Sequence, residues 1–441
     1  MKRDLKKIIS QMTLEEKAGM CSGLDFWHLK SVERLGIPEV MVSDGPHGLR
    51  KQDDKGDHLG MNDSIKAVCF PPAALSACSF DRELMESMGE TIGREAQAND
   101  VSVVLGPAVN IKRSPLCGRN FEYYSEDPYL SGTMSVASTG GIKDGGAWGT
   151  IKHFALNGQE SHRFKIDAVC SERAIRQIYL KSFEMAVKAG TVKTLMTAYN
   201  PINGHWAASN YDLCTTILRN EWGYEGIVMT DWWAKMNDVV EGGEESNQDT
   251  RDMVRSQNDV YMVVNNNGAE VNSNNDNTEE SIKEGRLTIG ELQRAAINIC
   301  NFILSAPVIE RELVDTDVAK HYDSVPNDQA KYEVFNIEKD NKVMFNSGAE
   351  ATLEVEDEGE YTIIVNISFD KSNLSQSTVN VNANGTTMVV IQTNGTDGNW
   401  ITQKLCKVKL DKGVYNLKLE EVLAGIKVKY IQFKKIPKKN K

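Results

Sequence analysis

The stretch GIVMTDWW, residues 226–233, runs five small or apolar residues straight into a carboxylate and two tryptophans. Its first part reads as a buried strand and its end as a strand tip carrying Asp231. Taken alone, Asp231 could simply cap a following helix. The surrounding sequence argues for more. Comparable runs recur at EVMVSDG (39–45), VSVVLGP (101–107), GTIKHF (149–154), VKTLMTAYN (192–200) and DVYMVVN (259–265), with AALSACSF (73–80) a weaker further one. Helical patterns lie between most of them. Residues 81–100 place Leu84, Met88, Ile92 and Ala96 on one stripe, and residues 171–190 open on a Ser cap and close on a Gly. Residues 288–306 carry Leu292, Ala296, Ile299 and Ile303 in the same spacing. Repeated strand–helix units mean an α/β fold with a parallel sheet. Their number and the length of residues 1–306 predict a (β/α)8 TIM-like barrel. Polar residues gather at the C-terminal ends of these strands: Asp44, Lys152, His153, Tyr199, Asn200 and Asp231. In a barrel those ends converge on one face, the face that does chemistry.

The rest of the chain sets limits. Residues 307–345 are charged without a sustained period and read as a linker or wrapping segment. Residues 346–436 alternate apolar and polar side chains between Asn-Gly and Asp-Gly turns, which predicts a small all-β jelly-roll or sandwich domain. The net charge of -12 argues against nucleic-acid binding, and the basic tail KKIPKKNK reads as a solvated terminus. No apolar run is long enough to cross a bilayer, so no membrane partner is expected. Residues 1–20 read as an amphipathic helix with Leu5, Ile8, Ile9 and Met12 on one face, not as a signal peptide. The eight cysteines stand singly with no CxxC, which points to a reducing, cytoplasmic setting and against a disulfide scaffold or a zinc site. Seven histidines offer no ligand pair such as HExxH, so neither a metal nor a cofactor is implied.

At LGPAVNIKRSPLCGRNFEYYSEDPYLSG (105–132) the sequence resembles the barrel domain of glycoside hydrolase family 3, the family of many β-glucosidases. The likeness runs from about residue 11 to 306 through MTLEEKAGM, SDGPHGLR, GTIKHFALNGQESHR, ERAIRQIYLKSFEMAV and MTAYNPINGHWAASNYDLCTTILRNEWGYEGIVMTDW, in order. The resemblance implies a retaining β-glycosidase acting on terminal non-reducing β-D-glucosyl or related residues, with Asp231 as nucleophile. It further implies that Asp44, Arg119, Lys152 and His153 hold sugar hydroxyls, that Tyr199 holds the nucleophile, and that Trp232 walls the sugar. Glu160 and Arg163 are possible wall residues, Arg173 is structural, and Trp233 is expected to pack. Other readings stay open for single residues: Arg119 could pair with Glu122 or Glu126, and His153 and Tyr199 could be core.

A retaining mechanism needs a second carboxyl group about 5 Å away. In relatives of this type it comes from a separate α/β sandwich domain, which the sequence does not display. His162 and the loop glutamates Glu241, Glu244 and Glu245 are weak substitutes, so the acid/base is left unassigned. The expected partners are a β-linked oligosaccharide or glycoside and a separate domain or chain supplying the acid/base. The alternative is a non-catalytic carbohydrate-binding protein that keeps the pocket. In the β-sandwich, NGTDGNWITQKLCKVKLDKGVYNLKLEE resembles the last strands of jelly-roll carbohydrate-binding modules, with Trp400 either a sugar-stacking platform or core, and the domain either carbohydrate-binding or a structural appendage; Asn384 and Asn394 sit in turns.

Overall fold

Five short parallel strands and one antiparallel edge strand set the frame. These are β1 (His28–Leu29), β2 (Val40–Asp44), β3 (Val103–Leu105), β4 (Trp148–Phe154), β5 (Thr194–Thr197) and, after the hairpin β6 (Pro201–Ile202)/β7 (His205–Trp206), β8 (Ile227–Thr230). The computed structural model describes residues 4–52, 64–263, 268–306, 309, 342–343, 350–370, 376–394, 396–421 and 426–436. The sheet order is β1-β2-β3-β4-β5-β8, with only the β1–β2 pair antiparallel. Single parallel bridges continue the pairing from Met229 to Val260 and from Tyr261 to Ser22, and an antiparallel one joins Gly23 to Leu29. The strand expected from 259 is thus reduced to bridges at Val260 and Tyr261. The strands are buried on both faces, as a parallel sheet covered by helices requires.

Capping chemistry sets the helices. Asp81 accepts from the Leu84 amide at the start of the helix Arg82–Ala98, and Thr288 with Glu291 forms a capping box on Ile289–Ser305. Between 171 and 190 the Ser171 cap and the left-handed Gly190 stand as read, with a π-helical stretch Ile175–Tyr179 inside. The helix Arg82–Ala98 lies tight against Pro128–Gly145: a Cβ on Gly141 would come within 2.0 Å of the Glu86 carbonyl oxygen.

Two expectations fail here. AALSACSF is not a strand: Ala73–Ala77 is a short helix with Pro72 as its N-cap, and proline belongs at a helix start. The amphipathic run at the N-terminus is two helices, Leu5–Gln11 and Leu14–Met20, because Thr13 and Glu16 form a capping box that starts a new one.

The chain divides into residues 1–324 and 325–441. Most of the expected linker 307–345 and the tail KKIPKKNK lie outside the described residues. In the first unit a second hairpin, β9 (Met236–Asp238)/β10 (Gly242–Ser246), follows Asp231. The second unit contains β11 (Lys342–Val343), β12 (Glu350–Val355), β13 (Gly359–Phe369), β14 (Gln376–Ala383), β15 (Thr386–Asn394), β16 (Ile401–Leu410), β17 (Gly413–Glu421) and β18 (Ile426–Lys435). They form two antiparallel sheets, β11-β18-β13-β16 and β12-β17-β14-β15. Ile363, Val365 and Ile431 from one and Val379, Val381 and Leu419 from the other share a core. Asn384 and Gly385 both have positive φ, 52° and 85°, which is the two-residue hairpin turn the sequence calls for.

Candidate active site

Asp231 follows β8 directly, and its neighbours are tied down. The Thr230 hydroxyl oxygen accepts from the Met262 amide at 2.9 Å, and the Trp233 amide donates to the Met262 carbonyl at 2.7 Å. The Trp232 indole donates to the Phe26 carbonyl at 3.2 Å, while its amide donates to Asp231 Oδ1 at 2.8 Å. Below them, Asp259 accepts from the Val228 amide at 2.9 Å and from Arg219 at 2.6 Å, fixing the lower end of the strand. The residues on both sides of Asp231 are therefore tied down, and one carboxylate oxygen is held by backbone. The Tyr199 hydroxyl hydrogen bonds to it, and His153 Nε2 lies 3.7 Å from Oδ2.

Around Asp231 the charges interlock. Glu122, 4% exposed, accepts from Arg119 Nε at 2.7 Å and Nη2 at 2.6 Å, and Lys152 Nζ sits 3.4 Å from its other oxygen. Lys152 also donates to Asp44 Oδ1 at 3.4 Å. Asp44 ends β2, where Gly45 turns the chain at φ 145°; a Cβ there would meet the Gly48 carbonyl oxygen at 2.3 Å. Arg163 donates to Glu160 at 2.7 Å and stands over the Tyr199 ring at 4.7 Å. Asn110 clamps the His153 backbone through two bonds of 2.8 Å.

These contacts set the proton affinities. Burial pushes the Asp231 carboxyl up, against the pull of Arg119, the Trp232 amide, Lys152 and Arg163. Burial acts the same way on Asp44, but Lys152 and Arg50 outweigh it and hold that carboxyl below its ordinary value. Burial and the cations Arg119, Lys152 and Arg163 drive the His153 imidazole well below its ordinary value, so it is neutral. Burial raises the Tyr199 phenol, and the Asp231 charge raises it further.

All seven residues expected at the site line one pocket of about 330 Å³: Asp44, Arg119, Lys152, His153, Tyr199, Asp231 and Trp232. That volume is at the small end of the roughly 300–1,000 Å³ typical of small-molecule sites. Asn200 lies elsewhere, buried, donating to the Ala155 and Pro201 carbonyls. Arg119 is paired with Glu122, one of the two partners the sequence offered.

Both tryptophans line the pocket. Trp232 is 7% exposed, with its N–H already used, and packs on Phe26 and Trp27. Trp233, expected to pack, is 37% exposed and lines the pocket from a residue with φ 56°. Phe26, Trp27 and Phe164 also line it and were not foreseen. The adjacent aromatics in GLDFWH were the available signal, but nothing local says that a segment before β1 reaches the tip of β8.

Residues 29–302 match the Glycosyl hydrolase family 3 N terminal domain. The chain belongs to glycosyl hydrolase family 3. It is 46% identical over 319 residues to the thermostable beta-glucosidase B of Acetivibrio thermocellus, covering 72% of this chain and 40% of that protein. It is 38% identical over 418 residues to a beta-glucosidase of Ruminococcus albus, covering 92% of this chain and 42% of that one. Among solved structures, a beta-glucosidase from Paenibacillus barengoltzii superposes with TM-score 0.65 at 44% identity, over 98% of this chain and 47% of that chain. Beta-glucosidase 3B from Thermotoga neapolitana in complex with α-D-glucose gives 0.63 at 34% identity, over 73% of this chain and 46% of that chain. The chain thus spans less than half the length of these family 3 relatives.

Within this family 3 pocket the lining carboxylates, among the described residues, are Asp231 and Asp44. The weak substitutes for an acid/base sit apart. His162 is exposed and is not among the lining residues. Glu245 pairs with Lys235 at 2.7 Å, and Glu241 and Glu244 are exposed on the β9/β10 hairpin. Arg173 is exposed and donates to Gln177 at 3.1 Å. No helix among the described residues is long and apolar enough to cross a membrane.

Proposed function

We propose that this chain forms the nucleophile-bearing part of a retaining β-glycosidase releasing terminal β-D-glucosyl residues. The carrying observation is Asp231: a buried carboxylate on a strand tip, immobilised by backbone and facing a pocket ringed by Arg119, Lys152 and Arg163. Asp231 attacks the anomeric carbon as the bond to the leaving oxygen breaks, giving a glycosyl ester that water then opens. The three cations oppose the rise in proton affinity that burial imposes on the carboxylate. Asp44, held ionised, accepts from sugar hydroxyls, while Arg119, Lys152 and neutral His153 donate to them. Tyr199 steadies the nucleophile, and Trp232 with Trp233 forms the apolar wall. The glucosyl preference rests on the names of the relatives.

Asp44 is unsuited to the second role. A general acid must hold a proton near working pH, and Asp44 is pulled the other way. We therefore assign the acid/base to a separate domain or chain, in keeping with relatives of whose length this chain covers 40% and 42%. The bridges from Met229 through Val260, Tyr261, Ser22 and Gly23 to Leu29 support reading residues 1–306 as a closed eight-membered barrel, one member of it reversed. Residues 346–436 are read as a separate β-sandwich with 307–345 as the link. All eight cysteines are free, which supports a reducing, cytoplasmic setting.

The same lack of a proton donor among the described lining residues favours a second reading, a pocket that binds sugar without turning it over. Leaving-group dependence separates the two. A dinitrophenyl β-glucoside needs no protonation, so the enzyme reading expects turnover of it, with alkyl glucosides slower by a further factor of roughly 10²–10⁴. Glucose binding with no turnover of the dinitrophenyl glucoside would leave the binding-protein reading standing.

A further inference from the structure

Charge in the second unit is sorted by sheet. The β11-β18-β13-β16 sheet carries one lysine on β11, three on β16 and four on β18, against Glu360 alone. The β12-β17-β14-β15 sheet carries Lys418 against Glu350, Glu354, Glu420 and Glu421. In a chain of net charge -12, one sheet has become a basic face.

Register fixes how that face is laid out. Side chains of β13 alternate, with Ile363, Val365 and Ile367 in the core, so Thr362, Ile364 and Asn366 lie on the other face, where Thr362 and Asn366 are themselves buried beneath their neighbours and Asn366 bonds Thr402. Thr362 is paired with Lys407 on one side and Lys434 on the other. Two strand spacings put these lysines roughly 10 Å apart across the sheet. One row along, Ile364 is flanked by Lys404 and Gln432, and the next row is Thr402, Asn366 and Tyr430. Lys427 and Lys435 have carboxylate partners, Asp370 and Asp357, each at 2.9 Å. Lys404, Lys407 and Lys434 are exposed and pair with no carboxylate among the described residues. At the end of the face Trp400 is 41% exposed, with Lys429 Nζ 5.8 Å from its ring centre.

We propose that this sheet face binds an acidic, carboxylated polysaccharide. Spaced lysines answer regularly repeating negative charges. The exposed Thr402 hydroxyl beside them answers sugar hydroxyls, and the indole offers a flat surface to a pyranose ring. A phosphate polymer fits less well: there is no arginine from residue 342 onward, and arginine is the residue suited to bidentate phosphate recognition. The proposal concerns a different surface from the Asp231 pocket and stands or falls separately from it.

The test is electrophoresis of the full chain through native gels containing polygalacturonate or neutral hydroxyethylcellulose, with anisotropy of a labelled oligothymidylate alongside. Polygalacturonate should retard the protein in a salt-sensitive way. Replacing Lys404, Lys407 and Lys434 together by Gln should weaken that binding by about tenfold or more. The corresponding Lys→Arg triple, which keeps the charge, and Lys418→Gln on the opposite sheet should bind as wild type. No retardation by polygalacturonate, equal retardation of the Gln triple with an unchanged melting midpoint, or tighter binding of oligothymidylate would each overturn the proposal.

Discussion

Glu122→Gln should damage the molecule far more than its small change in shape suggests. Glu122 is 4% exposed and bonds Arg119 at 2.6 and 2.7 Å, with Lys152 at 3.4 Å. The substituted amide would keep one acceptor but remove the charge that makes two neighbouring cations tolerable. Breaking a buried ion pair from one side costs about 3–5 kcal/mol. Arg119 also has Glu160 at 4.0 Å and is 19% exposed, so the low end applies, about 3 kcal/mol. For a unit of this size, that is a fall of roughly 5 °C in melting midpoint. The decisive assay is a double-mutant cycle. In an Arg119→Gln background one of the two unbalanced cations is gone, so Glu122→Gln should cost about 2 kcal/mol less there. Additive effects, or a single-mutant cost below about 1 kcal/mol, would refute the view that Glu122 neutralises the cations around Asp231.

Two further outcomes follow from the proton affinities. With Asp231 in the proposed role, activity on a dinitrophenyl β-glucoside would require its ionised form; burial raises that carboxyl above its ordinary value of 3.8, so the acid limb of kcat/KM should lie above that value. Arg119→Gln removes the foremost opposing charge and should move the limb to higher pH; an unmoved limb or a downward shift would contradict the account. His153 stays neutral in the fold, whereas the unfolded chain gains its proton below about 6.5. Its depressed proton affinity therefore makes stability fall as pH drops through that value, by up to about 1.4 kcal/mol per pH unit. Urea midpoints measured against pH should fall less steeply in His153→Gln than in wild type, and equal slopes would contradict the assignment.

Much of the frame was legible because it is local. The runs at 39–45, 101–107, 149–154, 192–200 and 226–232 are apolar enough to be buried on both faces, and strands form inside each of them. Asp81, Ser171 and Thr288 announce helix starts by their chemistry alone. AALSACSF misled because a short apolar run does not separate strand from helix, and Pro72 should have decided it. The two hairpins were missed although PINGHW carries an Asn-Gly turn, with φ 50° at Asn203 and 89° at Gly204. The polar strand tips were expected to converge, and six of the seven assigned side chains come from the ends of strands and the seventh, Arg119, from the loop after β3. The aromatic wall was not legible. Phe26 and Trp27 come from before β1 and Phe164 from the loop after β4, and only the tertiary fold sets them beside Asp231.

The most direct test is the intact mass of the protein after incubation with a 2-fluoro-glucoside bearing a dinitrophenyl leaving group, for wild type and Asp231→Asn. The leaving group dispenses with an acid, and the fluorine slows release of the intermediate, so the experiment interrogates the nucleophile alone. The account predicts a gain of one fluoroglucosyl unit in the wild type and none in the variant. An adduct that persists in Asp231→Asn, or a wild type that binds glucose but gains no mass, would contradict it.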